Sequence, residues 1–359
     1  MEPRVALIYI CHNTSQYVRE VADSWATLDY PKDRMAIIFI PNGATDDTVE
    51  IIEREVMPRA GNDLPSELIL LNDGVNHGFA GGNNQGFRWA QERGYDYAYL
   101  NNGDLKLDPS AISRAVALAE TDEQIGAVQS LMLFWNDPQK VNSTGGVMHV
   151  GGYAYARDNG KRLQDIAYKE GSEIMYPSRA ATLYRVSALN KVGLLEEGFF
   201  MYHEDLELGL RLRIAGYRNV LSMNSRTFHD YHFGRNEKMF QWIETYRWVV
   251  LLAYLKSPTL FVLSPLLLCI ELGSWISALA GGWFGAKTRA FVEGNRFETI
   301  RLTQKMRQRQ RQLRVIRDRD WLDDVVGVIA DQGQVSMITR MANALIDPIW
   351  RLIRKVIVW

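Results

Sequence analysis

Four short stretches of this 359-residue chain gather residue types that can do chemistry. Asn102-Gly103-Asp104 directly follows the apolar run Tyr97–Leu100. A carboxylate at a strand end can hold a divalent cation, and such a cation neutralises a diphosphate leaving group. The same three residues are also ordinary turn chemistry. Asn76 to Gly86 places three glycines and an alanine within the five residues 78–82. Backbone without bulky side chains can approach a ligand closely, and a helix starting beyond it presents free amides to an anion. Asn and Gly are denser there than a turn requires, which predicts ligand contact. In Phe199–Arg213, Leu206 and Leu210 share one helical face with Ile214, so the acids and arginines are expected on the other faces. Glu204 and Asp205 fall at the helix start, where acids suit the macrodipole. One of them could instead be a general base that takes a proton from a hydroxyl nucleophile. Finally, His229-Asp230-Tyr231-His232-Phe233-Gly234-Arg235 holds two of the six histidines within four residues. That pair is either a ligand or phosphate site or a loose surface pair.

The elements that must position these residues are legible as alternating strands and helices. Val5–Cys11 reads as a strand, Gln16–Leu28 as a helix, and Met35–Ile40 as a strand covered on both faces. Asn42-Gly43 turns the chain, and Thr45-Asp46-Asp47 offers caps for a helix through Val56. A short strand at Leu68–Leu71 precedes the glycine-rich bend Gly78–Gly82 and a helix over Asn83–Arg93. A strand over Tyr95–Asn101 and a helix opened by Pro109 and running to Glu120 complete the pattern. Strand-helix alternation at this spacing predicts a doubly wound parallel α/β sheet, with ligands at the carboxyl ends of the strands.

Composition narrows the function classes. A net charge of −1 argues against a generic nucleic-acid binder, and 47% hydrophobic residues argue against disorder. Cys11 and Cys269 lie far apart and suggest neither a disulfide framework nor a zinc set, which suits a reducing compartment. The first apolar run is too short for a signal peptide, so the catalytic part is expected in the cytoplasm.

In order and spacing these segments resemble family 2 glycosyltransferases of the GT-A fold. Among those, they are similar to rhamnosyltransferase-like enzymes of bacterial surface polysaccharide assembly. The resemblance rests on Asn42-Gly43-Ala44-Thr45-Asp46, Asn76 to Gly86, Asn102-Gly103-Asp104, and Ala180–Arg185 before Val192-Gly193. Glu204-Asp205, Arg211-Leu212-Arg213-Ile214-Ala215-Gly216-Tyr217 and His229 complete it, over residues 4–320. It implies a Rossmann-like, doubly wound, mostly parallel sheet with a C-terminal helical, membrane-associated region. Residues 1–235 would form the nucleotide-sugar-binding catalytic domain and residues 236–359 the apolar and basic helical part.

The resemblance also implies roles. Asp104 matches the metal-binding acid of the family's Asp-x-Asp motif, with Asn102 at its first acidic position. His229 matches a histidine that can complete a site for Mg²⁺ or Mn²⁺. Asp205, beside Glu204, matches the base of an inverting hexosyl transfer. Cys11, Asn13, Asn42, Asn76, Phe79, Ala80, Gly81 and Asn84 would surround the nucleotide sugar together with Asn102, Gly103 and Asp104. The family's nucleobase-contacting Asp is replaced here by Pro41, which has no side-chain acceptor, so the base of the donor stays open. Processive synthases of related fold carry Gln-x-x-Arg-Trp, whereas Gln241 and Arg247-Trp248 are spaced too widely. Pro41 and Asn102 leave a non-catalytic scaffolding subunit as the alternative. Retention of Asp104, Glu204, Asp205 and His229 together speaks against it.

The C-terminal third follows another regime. A spanning helix needs about 20 apolar residues, and Thr259–Phe284 is long enough. Pro265, Glu271 and several glycines interrupt it, so a re-entrant or in-plane helix pair fits at least as well as a span. Trp275 and Trp283 suit an interfacial belt. From Gly285 to Arg319 eleven Lys and Arg face three acids. Arg296, Arg301, Lys305, Arg307, Arg309, Arg311 and Arg314 would meet anionic headgroups, the other reading being a solvated basic face or a dimer interface. The amphipathic, cationic Trp350–Trp359 adds to the membrane reading. A lipid-linked saccharide acceptor at the cytoplasmic face of the cell membrane follows, with Arg179 and Tyr202 on the acceptor side.

Overall fold

The computed structural model describes residues 2–231, 236–330 and 337–359. His232, and with it the expected boundary after Arg235, lies outside the described residues. β1 (Val5–Ile10) and β2 (Met35–Ile40) are buried at every position, as unbroken apolar runs require of strands covered on both faces. Joined through α1 (Ser15–Ala26), they pair in parallel from Val5 opposite Met35 to Ile10 opposite Ile40. After α2 (Thr48–Ile51), which runs on as a π-helical turn over Ile52–Val56, β3 (Glu67–Leu70) extends the sheet in parallel. α3 (Gly78–Glu92) leads to β4 (Tyr97–Asn102), which pairs with the other edge of β1, Asn102 opposite Ile10. This register aligns three carboxyl ends. Cys11, Pro41-Asn42 and Gly103-Asp104 therefore leave the sheet side by side, at the edge where such sheets bind ligands.

Beyond β4 come β5 (Leu105–Leu107), α4 (Ala111–Ala119), β6 (Ile125–Phe134) and β7 (Asp137–Ser143). The hairpin strands β8 (Gly146–Met148) and β9 (Ala154–Ala156) follow, then β10 (Ser172–Glu173), β11 (Ala181–Arg185) and α5 (Val186–Val192). α6 (Glu204–Ile214) and β12 (Arg218–His229) close this part. The main sheet runs β10-β12-β6-β11-β4-β1-β2-β3, and β11 is antiparallel to both of its neighbours. The sheet is thus of the mixed GT-A type, not uniformly parallel. An antiparallel β11 enters from the ligand edge, Ala181 opposite Asn101, which carries Arg179 and Ala180 to the side of Asn102. Asn102 N–H donates to the Ala180 carbonyl at 3.1 Å. At the far edge β12 pairs with β5, His229 opposite Leu105, and so delivers His229 beside Asp104.

Two apolar clusters sandwich the sheet, and a third lies behind α6. α1 and α4 cover one face through Val18, Trp25, Ile112 and Val116; α3, α5 and α6 cover the other through Phe87, Leu189, Leu208 and Leu212. The reverse side of α6, Leu206, Leu210 and Ile214, packs into a third cluster with α7 (Glu237–Tyr254) and α8 (Ser257–Ala280). α9 (Phe284–Gly294), α10 (Phe297–Leu313), α11 (Asp318–Leu322) and α12 (Met337–Val356) complete the helical region. Because α6 is covered on both sides, several of its polar residues are buried. Glu204, Glu207 and Arg211 are fully buried. Arg211 grips Glu207 through Nε and Nη2 at 3.0 and 2.5 Å, and Arg309 of α10 reaches Glu207 at 3.0 Å. Burying these charges is tolerable only because each is paired.

Two helices depart from their sequence outlines. α3 begins at Gly78, not Asn83, and its glycines serve packing: a Cβ on Gly82 would stand 2.7 Å from Ile10 Cδ1, and one on Gly86 2.6 Å from Ile8 Cγ2. Pro265 does not divide the apolar stretch into a pair, since α8 is one 24-residue helix. The Ser264 hydroxyl donates to the Phe261 carbonyl at 2.8 Å, satisfying an acceptor that the proline cannot reach.

Candidate functional site

The strand ends and the start of α3 enclose a cavity of about 170 Å³ lined by Cys11, Asn42, Asn76, Phe79, Asn102, Gly103 and Asp104. Its walls are set by polar side chains that fix the loops. Asn42 adopts φ +47°, donates to the Gly78 carbonyl at 3.1 Å and accepts from His77 N–H at 3.0 Å. Asn76 Oδ1 accepts from Gly78 N–H at 2.9 Å. Gly78, at φ +68°, must be glycine here: a Cβ would lie 2.6 Å from the Phe200 carbonyl oxygen. Cys11 is buried in this wall, and desolvation pushes its thiol up, so it contributes shape and no thiolate.

The Asn-Gly-Asp turn is held from beneath. Asn101, fully buried, accepts from Trp25 Nε1 at 3.2 Å and donates to the carbonyls of Asn102 and Leu105, both at 2.8 Å. Tyr9 donates to the Gly103 carbonyl at 2.9 Å. Asn102 Oδ1 is buried without a hydrogen-bond partner. Asp104 remains partly exposed, with its Oδ1 3.2 Å from His229 Nε2. His229 Nδ1 meets Asn142 Oδ1 at 3.0 Å. With Nδ1 as the donor, Nε2 turns a lone pair toward the Asp104 carboxylate. Two acceptors so placed need a cation or a proton between them.

A second cavity, about 270 Å³, is lined by Asn102, Asn142, Tyr176, Arg179, Tyr202, Asp205, His229 and Tyr231 among others. It shares Asn102 with the first, and His229 reaches from it to Asp104. Asp104 and Asp205 therefore face adjoining cavities that meet at Asn102. Arg179 marks the junction: its guanidinium lies 4.0 Å from the Phe79 ring centroid, 2.5 Å from Glu204 and 3.7 Å from Asp205. Tyr202 and His203 precede α6 at φ +69° and +66°, a left-handed pair rare outside glycine. His203 is anchored by Nε2 against the Gly152 carbonyl at 3.0 Å.

Residues 6–193, more than half of the chain, match the profile of glycosyl transferase family 2. The chain belongs to glycosyltransferase family 2.

This transferase is 26% identical over 215 residues to the poly-β-1,6-N-acetyl-D-glucosamine synthase of Staphylococcus epidermidis, covering 59% of the chain and 46% of that protein. It is 27% identical over 237 residues to the O-antigen biosynthesis protein RfbC of Myxococcus xanthus, covering 63% of the chain and 17% of that protein. The chain thus spans less than half the length of these relatives. Among solved structures, the mannosyltransferase PcManGT from Pyrobaculum calidifontis, in complex with GDP-Man and Mn²⁺, superposes with a TM-score of 0.51 at 14% identity, over 87% of this chain and 85% of that one. S. aureus TarS 1–349 in complex with UDP-GlcNAc gives a TM-score of 0.51 at 15% identity, over 98% and 90%. Both likenesses are of fold.

Several residues expected around the nucleotide sit elsewhere in the transferase. Asn84 is buried, exchanging hydrogen bonds with Leu195 (O at 2.9 Å, N–H at 3.1 Å) and donating to Glu197 at 2.8 Å, so it ties α3 to the segment after α5. Ala80 and Gly81 are covered inside α3; a Cβ on Gly81 would press 2.8 Å against His77. Asn13 stands at the rim and accepts from Thr45 N–H at 2.7 Å, bracing the turn after β2. Glu204, paired with Asp205 as a catalytic candidate, is fully buried behind Arg179 and lines neither cavity. Desolvation raises its pKa to about 7 against the opposing pull of Arg179. Sequence reasoning passed over Asn101, Asn142 and Tyr176, and gave Tyr231 no role of its own. Asn101 could have been noticed as a second amide at the strand end; Asn142, within β7, carries no local signal.

Proposed function

We propose that this family 2 glycosyltransferase is an inverting enzyme that moves a hexosyl unit from a nucleoside diphosphate to a hydroxyl of a lipid-linked saccharide at a membrane. The observation that carries it is the placement of Asp104 and Asp205 in adjoining cavities that meet at Asn102 and Arg179.

Asp104, His229 and the partnerless Asn102 Oδ1 fit a divalent cation of the Mg²⁺ or Mn²⁺ kind, which takes oxygen donors and tolerates an imidazole. Among the described residues no three His, Cys, Asp or Glu side chains form a metal cage, so diphosphate oxygens and water would supply the remaining donors. PcManGT in complex with Mn²⁺ supports such an arrangement on this fold. When bound, the cation supplies charge neutralisation on the departing diphosphate.

This chain's own residues do the rest. The loops at Cys11, Asn42, Asn76 and Phe79 receive the nucleotide and hold its diphosphate toward Asp104. Arg179, desolvated between Phe79 and the two acids, orients Asp205 and closes the junction to water. Asp205 accepts the proton of the acceptor hydroxyl while the oxygen of that hydroxyl bonds to the anomeric carbon. The bond to the diphosphate oxygen breaks on the opposite side, and its electron pair leaves with the nucleoside diphosphate. Opposed attack and departure invert the anomeric centre. Tyr202 and Tyr231, which line the cavity beside Asp205, would flank the acceptor saccharide. The names of the relatives, a poly-N-acetylglucosamine synthase and an O-antigen protein, support an envelope polysaccharide as product. The rhamnosyl subtype rests on motif resemblance alone and is tested by offering dTDP-rhamnose beside UDP-GlcNAc and GDP-mannose.

Membrane attachment rests on the helical region. α8 is long and apolar enough to cross a bilayer, yet Glu271 at its middle pairs with Arg247 of α7 and, at 2.8 Å, with Lys287 of α9. A helix tied along its length to a charged bundle fits the interface plane better than a span. Asp205→Asn is the decisive test: transfer is expected to fall ~10²–10⁴-fold with nucleotide binding retained. Wild-type turnover in that variant would remove the base assignment.

A further inference from the structure

Where α8 begins, a cavity of about 360 Å³ lies outside the catalytic cleft and shares no lining residue with it. Lys256, Arg307, Arg311 and Arg314 surround it, with Ser257 and Pro258 from the first turn of α8. One acid answers this charge: Asp318 pairs with Arg314 at 2.8 Å. Arg307 is held in place by the carbonyls of Leu252 and Leu255 and by the Ser257 hydroxyl, at 2.5, 2.8 and 3.0 Å. Among the described residues, no ion pair engages Lys256 or Arg311. Burial and the charges of Arg311 and Arg314 push Arg307 below its usual value, with Asp318 opposing. Lys256 and Arg311, without an ion pair and lining one cavity with the carbonyl-held Arg307, are the makings of an anion site.

What distinguishes this site is the surface running away from it. Ser257 and Pro258 share a helix face with Phe261, Pro265, Leu268, Leu272, Ile276 and Leu279, spaced three or four residues apart. All of these are exposed, Phe261 at 81% and Leu279 at 71%. The stripe extends ~27 Å from Phe261 to Leu279 at the helical rise, comparable to a stretched acyl chain. A soluble anion would use the cations and leave the stripe bare. A lipid uses both.

We propose that the Lys256–Arg307–Arg311–Arg314 cavity binds the phosphate of a lipid whose hydrocarbon chain lies along the exposed face of α8. This rests on the reading that the transferase works at a membrane, so the test separates the two. The full-length chain is offered phosphatidylcholine vesicles carrying either phosphatidic acid or oleic acid at matched negative charge. A preference for phosphatidic acid is expected. Lys256→Gln with Arg311→Gln should weaken phosphatidic acid binding about 30-fold, from two lost cations at an anionic surface, and abolish the preference. Arg296→Gln with Arg301→Gln, an equal charge loss outside the cavity, should keep it. Persistence of the preference in the Lys256/Arg311 variant overturns the site. Absence of binding to any vesicle sinks the membrane reading instead, and soluble dioctanoyl phosphatidic acid then decides the site. A rise in Tm in the wild type that is lost in the variant supports it; an equal rise with inorganic phosphate alone overturns it.

Discussion

His229 faces Asn142 through one ring nitrogen and Asp104 through the other, at 3.0 and 3.2 Å. The Asn142 contact selects the tautomer that leaves Nε2 available, which is how outer partners tune a metal-binding histidine. Asn142→Leu is expected to weaken cation-dependent nucleotide binding ~10–100-fold, measured by calorimetry with and without Mn²⁺. Cation-independent binding should not change. Glu204 shows the opposite use of an acid. Its pKa is raised to about 7, so the folded state holds its proton more tightly than the unfolded chain does. The stability it contributes is full below its ordinary carboxylate range and is lost as pH rises through about 7. Glu204→Gln should therefore gain stability relative to wild type as pH rises across that window, read as the difference in Tm. A constant difference would show that Glu204 does not titrate there.

At the scale of elements, the glycines of α3 mark the difference between a motif and its use. A run dense in Gly and Asn suggested backbone laid against a ligand, and Gly78 does shape the cleft wall. Gly82 and Gly86 instead let α3 lie directly on β1. Ile8 is fully buried and β-branched, with no room to turn away. Gly86→Ala should cost ~1–3 kcal/mol, the usual range for overpacking, seen as a lower urea midpoint. Nucleotide affinity per folded molecule should stay unchanged, because Gly86 touches neither cavity. Gly81, Asn84 and Ala80 belong to the same packing logic.

At the scale of the whole molecule, the helical region does two things with its apolar residues. One set fills the core shared with α6, including Leu251, Leu267, Trp321 and Trp350. The other is left open. On α12, Met337, Met341, Leu345, Ile349, Leu352 and Val356 recur every three or four residues and are all exposed. α12 packs against α8, whose own stripe is bare, and exposed apolar surface of that extent marks an interaction face. Leu345→Ser with Leu352→Ser should cut flotation with anionic vesicles at least ~10-fold, given ~1.5–3 kcal/mol for each buried leucine. Folding should be unaffected, since neither side chain is in the core. Retained flotation would show that this face serves another purpose.

The family and the strands β1 to β4 were legible in the sequence alone, and Asp104, Asp205 and His229 were singled out there as candidates. They depend on local signals: unbroken apolar runs, turn residues and caps, and a fixed order of short motifs. What the sequence left undecided depends on contacts between residues far apart along the chain. The reversal of β11 brings Arg179 to Asn102, and the pairing of β12 with β5 brings His229 to Asp104. Covering α6 on both sides buries Glu204, which separates two adjacent acids into one that meets the cleft and one that does not. Helical periodicity reports which residues share a face. Which face is covered, and by what, is decided only when the remaining helices pack.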